Sequence, residues 1–437
     1  MIKLRQTFLN TVFWSVIAAA FIGPGTLATA SSAGALFELD IMWALAFAIL
    51  ACIILQEGTA RITILTGNDF GKTIQKYALT PFNRSIMYLI TGGVLFGCAA
   101  YQAGNILGAI SGLGMILSLN TKVLTVIVAL SVFAVLWKGN ISLITKILGV
   151  CVGIMGISFF AVALQAEFEW GYFFKSLVVP AIPQGGGLLV LGLVGTTIVP
   201  YNLFLGSSMG RGKSLKSMRV GVGMAVFIGG MISIAILISG TFIEEKVSFV
   251  NLAGIMEEKL GAWAKYLLAV GLFAAGFTSS VTAPLASAYI TSGIMGKREE
   301  KPEQSRLFRL TWGIILFIGF LFGILDFQPM PVIIMAQALN GLVLPLVAGY
   351  LIILLNNHQL LGKEGINGTI RNALSFFVLT GVVMLGLNHI YQASNKIFFL
   401  SNWVSEGLFI GIGSLVIVLV ILVRTYKMRN KDYHRNE

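Results

Sequence analysis

Apolar residues run through this chain in long blocks rather than in alternation or at every third or fourth position. Blocks of about 18 to 25 residues recur from end to end, and each, coiled as a helix, crosses roughly 30 Å of hydrocarbon. Unpaired backbone groups are intolerable in lipid, so spanning segments must be helices or a closed barrel. Barrel strands would be short and alternating, so the pattern predicts an all-α integral membrane protein. Twelve spans are predicted, at 12–33, 41–60, 86–113, 121–137, 144–164, 186–208, 220–241, 264–292, 310–325, 330–355, 371–390 and 403–423. The first reads as a true span rather than a cleaved leader, because its centre is polar and broken by glycine and proline.

Two spans carry a break. Span one reads FIGPGTLAT, with Gly23, Pro24, Gly25 and Thr26 at its centre, and span six reads GTTIVPYNL, with Val199, Pro200, Tyr201 and Asn202. Proline brings no amide hydrogen and collides with the preceding turn, while glycine admits non-helical backbone. An odd number of helices in a repeat makes the next copy start from the opposite face, so spans one to five and six to ten are read as inverted repeats. Residues 1–164 then form the first half, with its broken helix near 23–26. Residues 186–355 form the second, broken near 199–202, and 356–437 add two helices and a basic tail. Interruptions at corresponding positions of two halves point to the substrate site of an inverted-repeat transporter.

Other polar residues sit at membrane depth. Gln102 and Asn105 in span three share a face, as do Gln337 and Asn340 in span ten, and span eight carries Thr278 and Ser279 in GFTSSVTAP. Such groups either join helices or line a site. Glu57 is the one carboxylate well inside a predicted span, and Arg61 four residues on makes the two a structural or gating ion pair near the cytoplasmic end of span two. The fragment GRGKS at 210–214 lacks the spacing, strand and soluble helix of a phosphate loop.

Composition agrees with the pattern and charge orients it. The 437 residues are 57% hydrophobic and 11% charged, too apolar for a soluble fold. With the N-terminus cytoplasmic, inward segments hold 24 of the 30 Lys and Arg and outward ones six. That bias places both termini in the cytoplasm of a multi-pass plasma-membrane protein. The net charge of +12 is accordingly read as topology and attraction to the lipid bilayer, with no nucleic acid as partner. Three cysteines and three histidines show no metal-ligand spacing.

The stretches GPGTLATASSAGA from Gly23, DIMWALAFAILACIILQEGTARITILTG, GLVGTTIVPYNLFLGSS, GLFAAGFTSSVTA and QALNGLVLPLVAGYLIILLN together resemble the Nramp family of proton-coupled divalent-metal transporters. The likeness covers most of residues 10–360. It implies a LeuT-like fold with a 5+5 inverted repeat and a central site at Gly23, Pro24, Gly25, Thr26, Val199, Pro200, Tyr201, Asn202 and Gln337, braced by Gln102, Asn105, Thr278, Ser279 and Asn340. In the family the breaks read Asp-Pro-Gly-Asn and Met-Pro-His, and the Asp, Asn and Met hold a soft divalent ion. Here those ligand positions are Gly23, Thr26 and Val199, with Tyr201 at the histidine and Asn105 at a proton-path glutamate. Without a carboxylate or thioether, preference for a soft metal and coupling to protons are both unexpected. The carbonyls of Gly23 and Val199 are the nearest oxygen donors.

The expected function is therefore a secondary transporter working by alternating access on an ion or small solute, a divalent cation among the candidates. The alternatives are a transporter of a small polar or neutral organic solute, and a non-transporting receptor or structural protein of the same fold. No enzyme activity and no cofactor are expected, since no carboxylate pair, nucleophile with its base, or metal cluster shares a cleft.

Overall fold

The computed structural model describes residues 22–138, 142–209, 212, 214–296, 302–398 and 404–430. In the first half these form α1 (Pro24–Phe37), α2 (Met42–Thr66), α3 (Phe70–Tyr77), α4 (Pro81–Gly114), α5 (Thr121–Lys138), α6 (Ser142–Ala163) and α7 (Trp170–Val178). The second half holds α8 (Gly187–Thr197), α9 (Pro200–Met209), α10 (Leu215–Gly240), α11 (Phe249–Leu260), α12 (Trp263–Met295), α13 (Arg306–Ile324) and α14 (Pro329–Leu355). Then follow α15 (His358–Gly365), α16 (Thr369–Phe398) and α17 (Glu406–Asn430). Among the described residues eleven helices are long and apolar enough to cross a membrane, with α8 and α9 together forming one of them. The upstream part of the predicted first span, 12–21, lies outside the described residues; its downstream part is α1.

The structure lengthens several predicted spans and adds four short helices, α3, α7, α11 and α15, in segments read as loops. Hydropathy registers how deep a residue lies in lipid, whereas a helix continues until its cap. Thus α4 begins at Pro81, five residues before the apolar block, where Thr80 accepts a hydrogen bond from the Asn83 amide and proline takes the first helical position. Asp69 caps α3 through the Lys72 amide, and Ser248 caps α11 through that of Asn251.

The packing is reciprocal between halves. α1, from span one, lies along α10, from span seven, and the broken pair α8 and α9 of span six lies along α2 of span two. Likewise α4 packs on α14 while α12 packs on α6, and α4 and α12, the third helices of the two halves, form the most extensive pair of all. Exchanging halves maps each contact onto its counterpart, as an inverted repeat requires. Small residues let these backbones meet. A Cβ on Gly34 of α1 would lie 1.9 Å from the carbonyl oxygen of Leu237 in α10, and one on Gly240 of α10 would lie 2.3 Å from that of Ser31 in α1. In lipid, where hydrophobic force between helices is absent, such close approach supplies the association.

Candidate substrate site at the paired helix breaks

Helix α8 stops at Thr197, where Ile198 leaves helical geometry at φ −111° and ψ 70°. Pro200 then opens α9, and it withholds the N–H that a continuous helix would direct at the carbonyl of Thr196. In the other half Gly23 is extended, with φ −109° and ψ 177°, and Pro24 opens α1. The carbonyls of Gly23 and Val199, read from sequence as the nearest oxygen donors, each accept one backbone amide, from Leu27 at 3.2 Å and Asn202 at 3.0 Å, and keep a second lone pair. Helix α8 adds its open C-terminal end, the negative pole of its dipole, while α1 and α9 present N-terminal poles.

The two breaks touch. Thr26 Oγ1 lies 3.1 Å from Thr196 Oγ1, joining α1 to the last turn of α8, while Thr29 hydrogen-bonds back to the carbonyl of Gly25. Gly25 faces Gln337 of α14 so closely that a Cβ there would lie 2.2 Å from Nε2 and 3.1 Å from Thr196 Oγ1. Gln337 is 1% exposed and its Oε1 has no hydrogen-bond partner among the described residues. Its backbone is fixed as well, since a Cβ on Gly195 of α8 would lie 1.9 Å from the Gln337 carbonyl oxygen.

Helix α4 closes one flank. Tyr101 faces Gly23, where a Cβ would come 3.1 Å from the Tyr101 hydroxyl and 3.7 Å from Ser279 Oγ of α12. The Tyr101 and Tyr201 rings lie 5.5 Å apart, centroid to centroid. The Tyr101 hydroxyl interacts with Tyr201 and Ser279, and that of Tyr201 with Thr282. Further along the same helical stripe Gly108 packs on Pro24. Asn105 lies four residues after Tyr101 and three before Gly108, so it shares this stripe. It is buried, and its Nδ2 has no partner among the described residues.

Other predicted residues lie apart from the breaks. Gln102 donates through Nε2 to the Ser280 carbonyl at 3.1 Å. Pro284 sits inside α12 four residues after Ser280, so the amide fills the place of the N–H that proline lacks. Thr278 bonds the carbonyls of Ala274 and Ala275 in its own helix. Asn340 faces α4, where a Cβ on Gly97 would meet its Oδ1 at 2.6 Å. Asn202, by contrast, belongs to the second break as the third residue of α9, and it is half-buried. Glu57 and Arg61 lie 3.3 Å apart, and Arg219 joins Glu57 at 2.9 Å. Sequence reasoning left Thr196 and Tyr101 out of the site. Their signals were present: Thr196 stands four residues before Pro200, where a carbonyl is freed, and Tyr101 four before Asn105.

Among the described residues no group of three or more His, Cys, Asp or Glu could hold a metal ion. The groups at the breaks are hydroxyls, phenols, amides and carbonyls, which can replace part of a cation's water shell or hydrogen-bond a polar solute.

Comparison with known proteins adds the lineage. The family model described as natural resistance-associated macrophage protein-like, Nramp, matches residues 15–392. A divalent metal cation transporter, MntH, of Acidiphilium cryptum (strain JF-5) is 23% identical over 392 residues, covering 85% of this chain and 87% of its own. MntH of Klebsiella pneumoniae (strain 342) is also 23% identical, over 82% of this chain and 88% of its own. Among solved structures, the Eremococcus coleocola manganese transporter superposes with a TM-score of 0.73 at 18% identity, covering 96% of this chain and 93% of that one. MHP1, a nucleobase-cation-symport-1 family transporter solved in a closed conformation, superposes with a TM-score of 0.58 at 14% identity, over 97% and 93%. These likenesses, with the reciprocal packing, identify the fold as the LeuT-like 5+5 inverted repeat.

Proposed function

Because this chain belongs to the Nramp family of membrane transporters, we propose that it is a secondary transporter that carries a divalent cation, still partly hydrated, between the breaks of its first and sixth spans. The observation that carries the reading is the Gln337 side chain, whose Nε2 lies over Gly25 where α1 and α8 meet and whose Oε1 is a buried acceptor without a donor among the described residues. A buried acceptor left unmet costs about 1–3 kcal/mol. A cation bound at the open end of α8 satisfies it.

Among the described residues no carboxylate stands at the breaks, so two positive charges are compensated by dipoles, hydroxyls and retained water. Magnesium, which surrenders water reluctantly and prefers oxygen, suits such a site better than a soft ion. Tyr101 and Tyr201 close the flank next to Gly23, and Thr26 with Thr196 ties the halves together. Separating these contacts on one side and then the other gives alternating access. Both termini are placed in the cytoplasm of a plasma-membrane protein, supported by the 24 to six division of Lys and Arg. The division into halves at 1–164 and 186–355 follows the reciprocal packing.

The same groups support a second reading, transport of a small neutral polar solute, because the Tyr101–Tyr201 pair gives a ligand aromatic faces. Uptake into proteoliposomes separates the two. Magnesium, calcium, manganese and small amino acids are supplied in turn while internal pH is recorded. Saturable divalent uptake, lowered at least about fivefold in Gln337→Ala, is expected, with manganese given no advantage over magnesium. Saturable amino-acid uptake with no divalent flux would replace the cation reading by the solute one, and no flux of any kind would reject transport.

A further inference from the structure

Away from the helix breaks, the C-terminal end of α2 and the N-terminal ends of α10 and α16 surround a cleft of about 230 Å³. Arg61, Arg219 and Arg371 line it, against a single lining carboxylate, Glu57. Arg219 donates through Nε to Glu57 Oε1 at 2.9 Å, and Arg61 meets Oε2 of the same group at 3.3 Å. Among the described residues two of the three guanidinium charges are thus left without a lining counter-charge. Arg61 is 2% exposed, donates to the Gly365 carbonyl and to Asn367, and keeps a buried Nε with no partner among the described residues. A guanidinium so enclosed is expensive unless its donors are met. The lower wall is apolar, formed in part by Ile53 and Leu374, and Leu374 is also exposed on the outside of the bundle.

We propose that this cleft binds the phosphate of an anionic phospholipid, with the guanidinium groups of Arg61, Arg219 and Arg371 on the phosphate oxygens and the acyl chains descending past Ile53 and Leu374. Guanidinium forks match phosphate geometry. Basic pockets between helices on the cytoplasmic side are where anionic headgroups are drawn. The apolar wall selects a lipid over a soluble anion, which would leave it uncovered. Glu57 is the internal competitor, holding Arg219 when no phosphate is present.

The test uses the full-length protein in nanodiscs of phosphatidylcholine with and without phosphatidylglycerol, with lipid retention read by native mass spectrometry. Phosphatidylglycerol is expected to be retained over phosphatidylcholine. Arg219→Gln and Arg371→Gln should each weaken that retention about fivefold, while Arg309→Gln, remote from the cleft, should not. Glu57→Gln, which frees Arg219, should strengthen it, whereas a purely structural ion pair predicts no gain. Equal retention of the two lipids, an effect of Arg309→Gln as large as that of Arg371→Gln, or weakening by Glu57→Gln would each overturn the proposal. Thermal stabilisation by inorganic phosphate in phosphatidylcholine discs, matching that given by phosphatidylglycerol, would overturn the lipid as occupant.

Discussion

Adding one methyl group at Gly25 tests the substrate site at its narrowest point. A Cβ there would lie 2.2 Å from Gln337 Nε2 and 2.6 Å from Cδ, so reaching the 3.4 Å of ordinary contact requires the amide to retreat by about 1.2 Å. The backbone of α14 packs directly on α8, with Gly195 against the Gln337 carbonyl and no room for a side chain, so the flexible side chain is the part that retreats. The side chain then swings, and its amide leaves its place over Gly25. Losing one buried polar contact to the substrate costs about 1–3 kcal/mol, which weakens apparent affinity by roughly 5- to 150-fold.

The assay is concentration-dependent divalent uptake by Gly25→Ala, Gln337→Ala and the double variant in proteoliposomes, with thermal unfolding to confirm folding. If the methyl acts through the amide, the double variant should match Gln337→Ala within about threefold, and the two single effects should overlap by roughly 0.5–3 kcal/mol. A Gly25→Ala protein with wild-type affinity, or effects that simply multiply, would refute the assignment of Gln337 to the site.

Three further outcomes follow from the same geometry. Gln102→Leu should lower thermal stability by about 1 kcal/mol, or roughly 2 °C, and the loss should vanish in a Pro284→Ala background, where α12 regains the N–H for Ser280; an equal loss in both backgrounds would sever the link between amide and proline. Divalent uptake should be flat between about pH 5.5 and 8, because hydroxyls, phenols and amides do not titrate there; a sigmoidal change in that window would place a proton-coupling group in the site. Nor does the Tyr172 hydroxyl change the profile, since burial and then Asp40 push it up to about 12 and keep it donating to Asp40 at 2.7 Å. Any stability it adds is present below pH 10 and lost only as pH rises toward 12. Finally, Gly34→Ala or Gly240→Ala should abolish a monodisperse size-exclusion peak by forcing α1 from α10, whereas Gly223→Ala, on the same helix beside open space, should behave as wild type.

The breaks could be read from sequence because proline and glycine act on their own backbone, whatever surrounds them. Side chains that complete the site depend on how each helix is rotated about its axis, and uniformly apolar spans carry little record of rotation. Gln102 and Asn105 illustrate the difficulty: their i, i+3 spacing suggested one shared role, but a rotation of one residue past Tyr101 carries Gln102 to Ser280 and leaves Asn105 on the stripe facing Pro24. Arg219 was legible as a basic loop residue. Its partner Glu57 lies 162 positions away, beyond any local pattern, and only tertiary packing converts the predicted pair with Arg61 into a three-member cluster. Helix ends outside the lipid escaped hydropathy for a different reason, since Asp69 and Ser248 set them by capping.

Two prolines of the second half show why a helix break alone does not identify a substrate site. Pro284 deprives the Ser280 carbonyl of its helical donor, and α4 responds with the Gln102 amide at 3.1 Å. That helix runs on from Trp263 to Met295. The protein has satisfied the break internally, and its chemistry ends there. Pro200 deprives the Thr196 carbonyl in the same way, yet the helix separates into α8 and α9. Gln337 brings Nε2 to Gly25, where Thr196 Oγ1 also lies, and keeps a buried Oε1 without a partner among the described residues. Carbonyl oxygens at the negative end of a half-helix remain unmet until something positive or hydrogen-donating lies beside them. A donor delivered to the freed carbonyl at Pro284, and a helix that separates at Pro200 near an amide with an unpartnered oxygen, thus distinguish a break that the fold repairs from one completed by substrate. Replacing Gln337 by Glu sharpens the same logic: it adds the carboxylate that the site lacks, and it should tighten divalent binding while making uptake sensitive to pH. Isothermal titration with magnesium at pH 6 and 8 measures both, and unchanged affinity would show that the Gln337 side chain does not face the ion.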